Sequence, residues 1–209
     1  GGGGGRLIEK AGHNLTRSLI FMDEYWYVME ENEELRSVDA INLLLHACAY
    51  KGETDRAFNT FWGALEWDIK VNTTSYECLL FAISESRFPK AKAAEGLLPL
   101  MDDYGFELTD KGFGYLIATY VKEVGVGDGA ARAFLKVKER LNSVAGGVKE
   151  ETLSLLLRKL AKDGFLQEAE EVRGWMEEKY GSVPKYIENR MHGLVGEWEE
   201  RGILEREKW

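Results

Sequence analysis

An internal repeat covers most of this 209-residue chain and limits its fold more than any other property of the sequence. A segment that opens VDAINLLLHACAYKGETDRAF restarts three times, the last time as EETLSLLLRKLAKDGFLQEAEEV. The four copies are 35, 37, 40 and 35 residues long and span 38–72, 73–109, 110–149 and 150–184. A period of this length is typical of helical-hairpin repeats, in which one copy cannot bury its apolar face alone.

Each copy is predicted to form two helices joined by a short turn. Apolar residues recur at helical spacing in the first helix, as at Ile41, Leu44, Leu45 and Cys48. Gly52 lies in the turn, and a small residue, Ala57 or Ala169, opens the second helix and allows close packing. Because the chain has only 3 prolines and no run of alternating β-branched residues, we expect an all-α fold. Stacked hairpins of this kind form a solenoid with a concave inner surface.

The segments outside the four copies are predicted to protect the ends of the stack. Residues 1–14 begin with five glycines and read as a flexible, processed, truncated or added end. Residues 15–37 contain an amphipathic helix from Leu15 to Glu31, which we interpret as a capping helix or a partial repeat. Residues 185–209 contain a further capping helix, with Trp198 and Ile203 covering the last copy.

Composition excludes several classes of protein. No apolar stretch reaches the roughly 18 residues of a membrane-spanning helix, so we expect no membrane insertion. The two cysteines, Cys48 and Cys78, are too few for a disulfide framework and are expected to be small buried residues in a reducing compartment. A net charge of −9 argues against indiscriminate nucleic-acid binding, although a local basic patch remains compatible with it.

The repeat resembles that of the pentatricopeptide repeat family. The matched positions are Gly52, Ala57, Phe61, 69–72, Leu156, Gly164, Ala169 and Met176. The resemblance implies a right-handed α-solenoid that binds single-stranded RNA along its inner groove. The tetratricopeptide repeat is the rival, because Ala57, Phe61 and Ala64 also fit its second helix. The 35-residue spacing and the lack of a closing proline favour the pentatricopeptide type.

In this family two side chains per repeat read one RNA base. Carried over by position, the resemblance implies four pairs: Asn42 with Asn72, Glu77 with Thr109, Gly114 with Lys149, and Ser154 with Pro184. Asn42 with Asn72 resembles the combination associated with pyrimidines. The other pairs depart from the family pattern, so we expect short and weakly specific recognition. The alternative for Asn42 and Asn72 is a solvated helix residue and a turn residue.

Basic residues are concentrated in the third copy, which carries seven lysines and arginines against four acidic residues. Lys122, Lys136 and Arg140 belong to this group, and Arg158, Lys159 and Lys162 extend it onto the next first helix. We interpret these residues as a phosphate-binding patch, with a solvated helix face as the alternative. Three tryptophans on second helices are candidates for self-association or a protein partner, with core packing as the alternative: Trp62, Trp67 and Trp175.

No catalytic or metal-binding pattern is present in the sequence. The three histidines lie far apart, and there is no Cys-x-x-Cys and no His-x-Glu. The glycine-rich stretch 125–129 lacks the lysine of a phosphate loop and is expected to be an inserted turn. We therefore expect neither an enzyme nor a cofactor.

The small number of repeats resembles the short chloroplast members of the family, of the thylakoid-assembly type, which assist group II intron splicing. We therefore expect an RNA-processing protein of the chloroplast, or alternatively of the mitochondrion. A structural subunit of an organellar ribosome or other ribonucleoprotein is a second hypothesis. A tetratricopeptide-type adaptor that binds a peptide is a third.

Overall fold

A computed structural model describes residues 20–123, 128–144 and 146–200. Nearly all of this part of the chain is helical. The helices are α1 (20–31), α2 (Val38–Lys51), α3 (Thr54–Glu66), α4 (Thr73–Glu85), α5 (Ala91–Asp103), α6 (Asp110–Lys122), α7 (Gly129–Arg140), α8 (Glu150–Asp163), α9 (Leu166–Tyr180) and α10 (Lys185–Glu200). Two short 3₁₀ turns, Glu33–Leu35 and Leu141–Ser143, follow α1 and α7.

The all-α prediction is confirmed, since the described residues form helices and contain no strand. Helices α2, α4, α6, α8 and α10 begin at 38, 73, 110, 150 and 185, where each predicted repeat or the capping segment begins. No described helix combines the length and the apolar character needed to cross a membrane.

The helices start where the sequence supplies a capping side chain. Ser37, Asn72 and Thr109 precede α2, α4 and α6, and each side chain accepts a hydrogen bond from the backbone N–H three residues later, at 3.2–3.3 Å. Lys149 precedes α8 and has no capping side chain. Its own backbone N–H instead donates to the Asp110 carboxylate at 2.7 Å. Local chemistry therefore sets three of these helix starts.

A left-handed glycine ends the first helix in two of the copies. Gly52 ends α2 with φ 69°, and Gly164 ends α8 with φ 85°. In both turns the next N–H reaches back to the helix, from Glu53 to Cys48 at 3.0 Å and from Phe165 to Leu160 at 2.9 Å. A side chain would be strained at this φ, so the matched glycines have the same physical role.

The chain divides into two compact units, Gly1–Arg87 and Phe88–Trp209. In the first unit α2 packs against α3 and α4, and α3 also contacts α4. Its core includes Ile41, Leu45, Phe61 and Leu79, all fully buried. Ala57, which opens α3, is also fully buried, as close packing of α3 requires. Cys48 and Cys78 are both buried and free, as expected for small core residues.

The second unit is organised in the same way. Helix α6 packs against α5, α7 and α8, while α8 packs against α7, α9 and α10. Its core includes Phe113, Leu157, Val172 and Met176, and Ala169 near the start of α9 is fully buried. Within each unit a first helix therefore contacts its own second helix and the next first helix, as stacked helical hairpins do.

The predicted end segments are only partly described. Residues 20–31 form the described part of the helix predicted from Leu15, and Met22 and Met29 bury its inner face. Helix α10 packs against α8 and buries Ile187 completely. The predictions for residues 1–14, for Gly125–Gly127, for the side chain of Trp198 and for Ile203 lie outside the described residues.

Candidate RNA-binding surface

Asn42 and Asn72, which are 30 residues apart in sequence, lie in direct contact in the first unit. The Nδ2 of Asn42, in the second turn of α2, donates to the Oδ1 of Asn72 at 3.2 Å. Asn72 immediately precedes α4, and both side chains are partly exposed. The packing of α2 against α4 therefore brings together the pair that the family pattern implied.

Ser75 fixes the orientation of both amides. The backbone N–H of Ser75 can only donate, and it donates to the Oδ1 of Asn72 at 3.2 Å. Asn42 must then face the same oxygen with its Nδ2, which directs its Oδ1 to the Ser75 hydroxyl at 2.7 Å. The hydroxyl also accepts from the Asn72 backbone N–H at 3.2 Å, which completes a capping box.

The amide pair consequently presents mainly hydrogen-bond donors to a ligand. Both side-chain oxygens already accept internal hydrogen bonds. The second Nδ2 hydrogen of Asn42 and both Nδ2 hydrogens of Asn72 have no partner among the described residues. A ligand that presents acceptors therefore fits this pair.

Three aromatic rings lie on the same two helices. His46 and Tyr50 follow Asn42 by one and two turns on α2, and Phe81 lies on α4. The ring centroids of Tyr50 are 4.8 Å from His46 and 5.3 Å from Phe81, both in edge-to-face geometry. We call these three residues the ring cluster. It was not predicted from the sequence, although His46 and Tyr50 have the four-residue spacing of neighbours on a helix.

The pair Glu77 and Thr109 is divided between the two units. Glu77 lies on α4 and is buried, with an exposed fraction of 9%. Thr109 caps α6, and its Oγ1 accepts from the Gly112 N–H at 3.3 Å. Glu77 is therefore a buried residue of the first unit, and Thr109 is a helix cap of the second unit.

The two remaining pairs lie in the second unit. Gly114 lies on α6, and a Cβ at this position would lie 3.8 Å from the Thr152 hydroxyl on α8. Lys149 precedes α8, and its ammonium lies 3.9 Å from the Asp110 carboxylate while remaining largely exposed. Ser154 on α8 is only 2% exposed, and its hydroxyl has no hydrogen-bond partner among the described residues. Its predicted partner Pro184 precedes α10.

Several basic residues of the third copy form ion pairs with acids of neighbouring helices. Arg140 on α7 contacts Asp102 on α5 at 2.9 Å, and this guanidinium lowers the pKa of the Asp102 carboxyl below its usual value. Lys136 pairs with Glu139 at 2.8 Å within α7. Lys138 pairs with Glu171 on α9 at 2.7 Å. The positive charge of α7 is therefore largely balanced within the fold.

The basic residues of the first helices α6 and α8 have different surroundings. Lys122, Arg158 and Lys162 are exposed. Arg158 donates from Nε to the backbone oxygen of Ser154 at 3.3 Å, and Lys159 pairs with Asp163 at 3.0 Å. Within the described part of the chain, neither Arg158 nor Lys162 has a carboxylate within 4.0 Å. These two cations on α8 therefore remain available to an anionic ligand.

The three tryptophans proposed as contact sites differ in their packing. Trp62 on α3 is 45% exposed. Trp67 stacks on Trp26 with a centroid distance of 4.4 Å, and Trp175 stacks on Phe134 at 5.4 Å. Only Trp62 among the three is thus mainly a surface residue, and the other two contribute to packing.

No protein-family model matches this sequence, and no curated protein matches it significantly. The resemblance to pentatricopeptide repeats therefore depends on the residues quoted from the sequence.

Proposed function

We propose that this chain is a pentatricopeptide-type α-solenoid that binds single-stranded RNA and acts by binding alone, without catalysis or a cofactor. In this proposal the first helices α2, α4, α6 and α8 face the RNA. The observation that carries it is the contact between Asn42 and Asn72, because two residues matched to a base-reading pair meet across two helices. Neither residue is needed for the apolar core.

The free hydrogen-bond donors of this pair support recognition of a base edge. Cytosine offers two neighbouring acceptors, O2 and N3, on its Watson–Crick edge, and uracil offers O2 and O4 on either side of a donor. Single-stranded RNA exposes these edges, whereas a duplex conceals them. The pair thus fits a pyrimidine, in agreement with the family pattern.

The cations of α8 supply an attraction for phosphate that the overall charge does not. With a net charge of −9, the chain as a whole repels RNA, so binding requires local positive charge. Arg158 and Lys162 provide it, since no described carboxylate balances them. We expect their contribution to be lost as salt concentration rises.

The biological role that we propose is RNA processing in the chloroplast, or alternatively in the mitochondrion, by holding a group II intron in a form competent for splicing. Few repeats make for weak binding by one chain. A second copy or a protein partner at the exposed Trp62 would raise the avidity.

The second candidate function is a protein scaffold within an organellar ribonucleoprotein. The ion pairs of α7 favour it, because they neutralise much of the basic region that RNA would otherwise contact. A peptide-binding adaptor of the tetratricopeptide type is the third candidate, and Arg158 and Lys162 would then bind a peptide carboxylate.

A fluorescence-anisotropy titration tests the first candidate against the other two. The purified chain is titrated into a labelled pool of randomised single-stranded RNA at low and near-physiological salt. The comparison includes Lys162→Glu and, as a control, Lys92→Glu, which reverses another exposed lysine outside the proposed surface, on α5.

We expect saturable binding that weakens with salt. Lys162→Glu should weaken binding to all RNAs alike and lower the salt slope by about 1, whereas Lys92→Glu should not change the slope. No binding at either salt would refute RNA binding and favour the scaffold. Equal effects of the two variants would mean that general charge, and not α8, attracts the RNA.

A further inference from the structure

The ring cluster of His46, Tyr50 and Phe81 is a surface feature that the first unit does not need for its core. Tyr50 is 70% exposed, although it contacts both other rings. His46 and Phe81 are partly exposed and lie 5.8 Å apart between centroids. Each ring therefore supports the other two while a large part of the Tyr50 ring remains open to solvent.

This mutual support matters for binding. A long exposed side chain normally loses rotamer freedom when a ligand orders it. Tyr50 has only two side-chain torsions and is already held by edge-to-face contacts at 4.8 and 5.3 Å. A flat ligand can stack on it at a small further entropic cost.

The chemistry of the three rings decides which ligand fits. The ring cluster offers flat aromatic faces and contains no lysine or arginine. A phosphate group is bound in proteins by cations and by hydrogen-bond donors, whereas an unpaired base stacks on aromatic rings. The cluster therefore suits the base of a nucleotide better than its phosphate.

We propose that the ring cluster is a stacking site for an unpaired nucleobase of the same strand as the base held by Asn42 and Asn72. The inference rests on the proposed function. Tyr50 lies two helical turns after Asn42 on α2, which corresponds to about 12 Å along the helix axis. A single strand whose base meets the amide pair can therefore place a base a few nucleotides further along on the rings. Stacking tolerates any base, because every base has a π face.

The test uses the full chain and labelled 12-nucleotide pyrimidine RNA. Three variants are compared with the wild type: Tyr50→Ala, Tyr50→Phe and Tyr27→Ala. Tyr27 on α1 is the matched control, because it is an equally exposed tyrosine, at 65%, outside the ring cluster. Far-UV circular dichroism checks that each variant is folded.

We expect Tyr50→Ala to weaken RNA binding about 5- to 150-fold, the range that corresponds to loss of one base–aromatic stack. Tyr50→Phe and Tyr27→Ala should remain within about twofold of the wild type. The salt slope of Tyr50→Ala should equal that of the wild type, because stacking neutralises no phosphate.

A second arm removes single bases from the RNA. An abasic nucleotide at the stacked position should weaken binding by the wild type and have no further effect on Tyr50→Ala, since the two changes remove the same contact. Additive losses would overturn the stacking site, and so would a Tyr50→Ala variant that binds like the wild type. Absence of binding by the wild type would instead refute the proposed function itself, which separates the two failures.

Discussion

Replacing Asn72 by aspartate alters one half of this side chain and leaves the other half in place. The inward Oδ1 accepts from the Ser75 N–H and from the Asn42 Nδ2, each at 3.2 Å. A carboxylate keeps that acceptor and puts an oxygen where the outward Nδ2 stood. Alanine, in contrast, removes both halves. The two substitutions therefore separate the structural role of Asn72 from its proposed role in RNA binding.

The expected change in unfolding free energy follows from the two contacts of Oδ1. Loss of a helix N-cap costs about 1 kcal/mol. Loss of the hydrogen bond between α2 and α4 costs about 1 kcal/mol more. We therefore expect Asn72→Ala to lower the unfolding free energy by about 2 kcal/mol. Asn72→Asp should leave it unchanged or raise it by about 0.3–1 kcal/mol, because an anion at a helix N-terminus is favourable.

Urea unfolding measures these differences. Circular dichroism and tryptophan fluorescence should be followed together, since a chain of two units need not unfold in one transition. The same proteins are then titrated with pyrimidine RNA. Asn72→Asp should weaken binding by about 1–2 kcal/mol, because the outward donors of Asn72 are gone while the fold is intact.

Two results would refute this reasoning. If Asn72→Asp were as unstable as Asn72→Ala, the Oδ1 contacts would not be what stabilises this junction. If Asn72→Asp were stable and bound pyrimidine RNA like the wild type, the outward donors would have no part in recognition. The amide pair would then be only a helix cap.

Two further predictions concern the packing of the helices. A Cβ at Gly129 would lie 2.3 Å from the Tyr120 backbone oxygen, so Gly129→Ala should lower the unfolding free energy by about 1–3 kcal/mol. A Cβ at Gly174 would have open space, so Gly174→Ala should raise the unfolding free energy by about 0.5–1 kcal/mol. Urea titration of both variants measures these changes. If both substitutions changed the unfolding free energy in the same direction, the prediction would be contradicted. Burial raises the pKa of the Cys48 thiol from 9.0 to about 11. Burial of the neutral thiol stabilises the fold fully below pH 9, and this stabilisation is lost as the pH rises through 11. Across this range the unfolding free energy of the wild type should therefore fall by up to about 3 kcal/mol more than that of Cys48→Ala. An identical pH dependence of the two proteins in urea unfolding would exclude this burial effect.

The helices could be predicted because their signals are local. Ser37, Asn72 and Thr109 each accept a hydrogen bond from an N–H three residues away. Gly52 and Gly164 adopt the left-handed conformation where α2 and α8 end. Such interactions lie within one turn of the chain. The repeat period places these capping residues at similar intervals, which is why the starts of the first helices could be predicted from the sequence.

The candidate site was only partly predictable. The resemblance to pentatricopeptide repeats pointed to Asn42 and Asn72. The role of Ser75 was missed, although Asn72 and Ser75 have the three-residue spacing of a capping box. The burial of Ser154 could not be read from its position on a helix face. Burial of a small polar residue depends on how closely the neighbouring helices approach, which the repeat pattern does not specify.

The sequence by itself determined the all-α class and the apolar face of each first helix, because helix propensity and apolar periodicity act over a few residues. Capping does the same at three of the helix starts. Only the tertiary structure decided which charges are balanced. Arg140 meets Asp102 from 38 residues away and Lys138 meets Glu171 from 33, whereas Arg158 and Lys162 meet no described carboxylate. Side chains on different helices find partners through helix packing, and a count of charges along the chain contains no information about that packing.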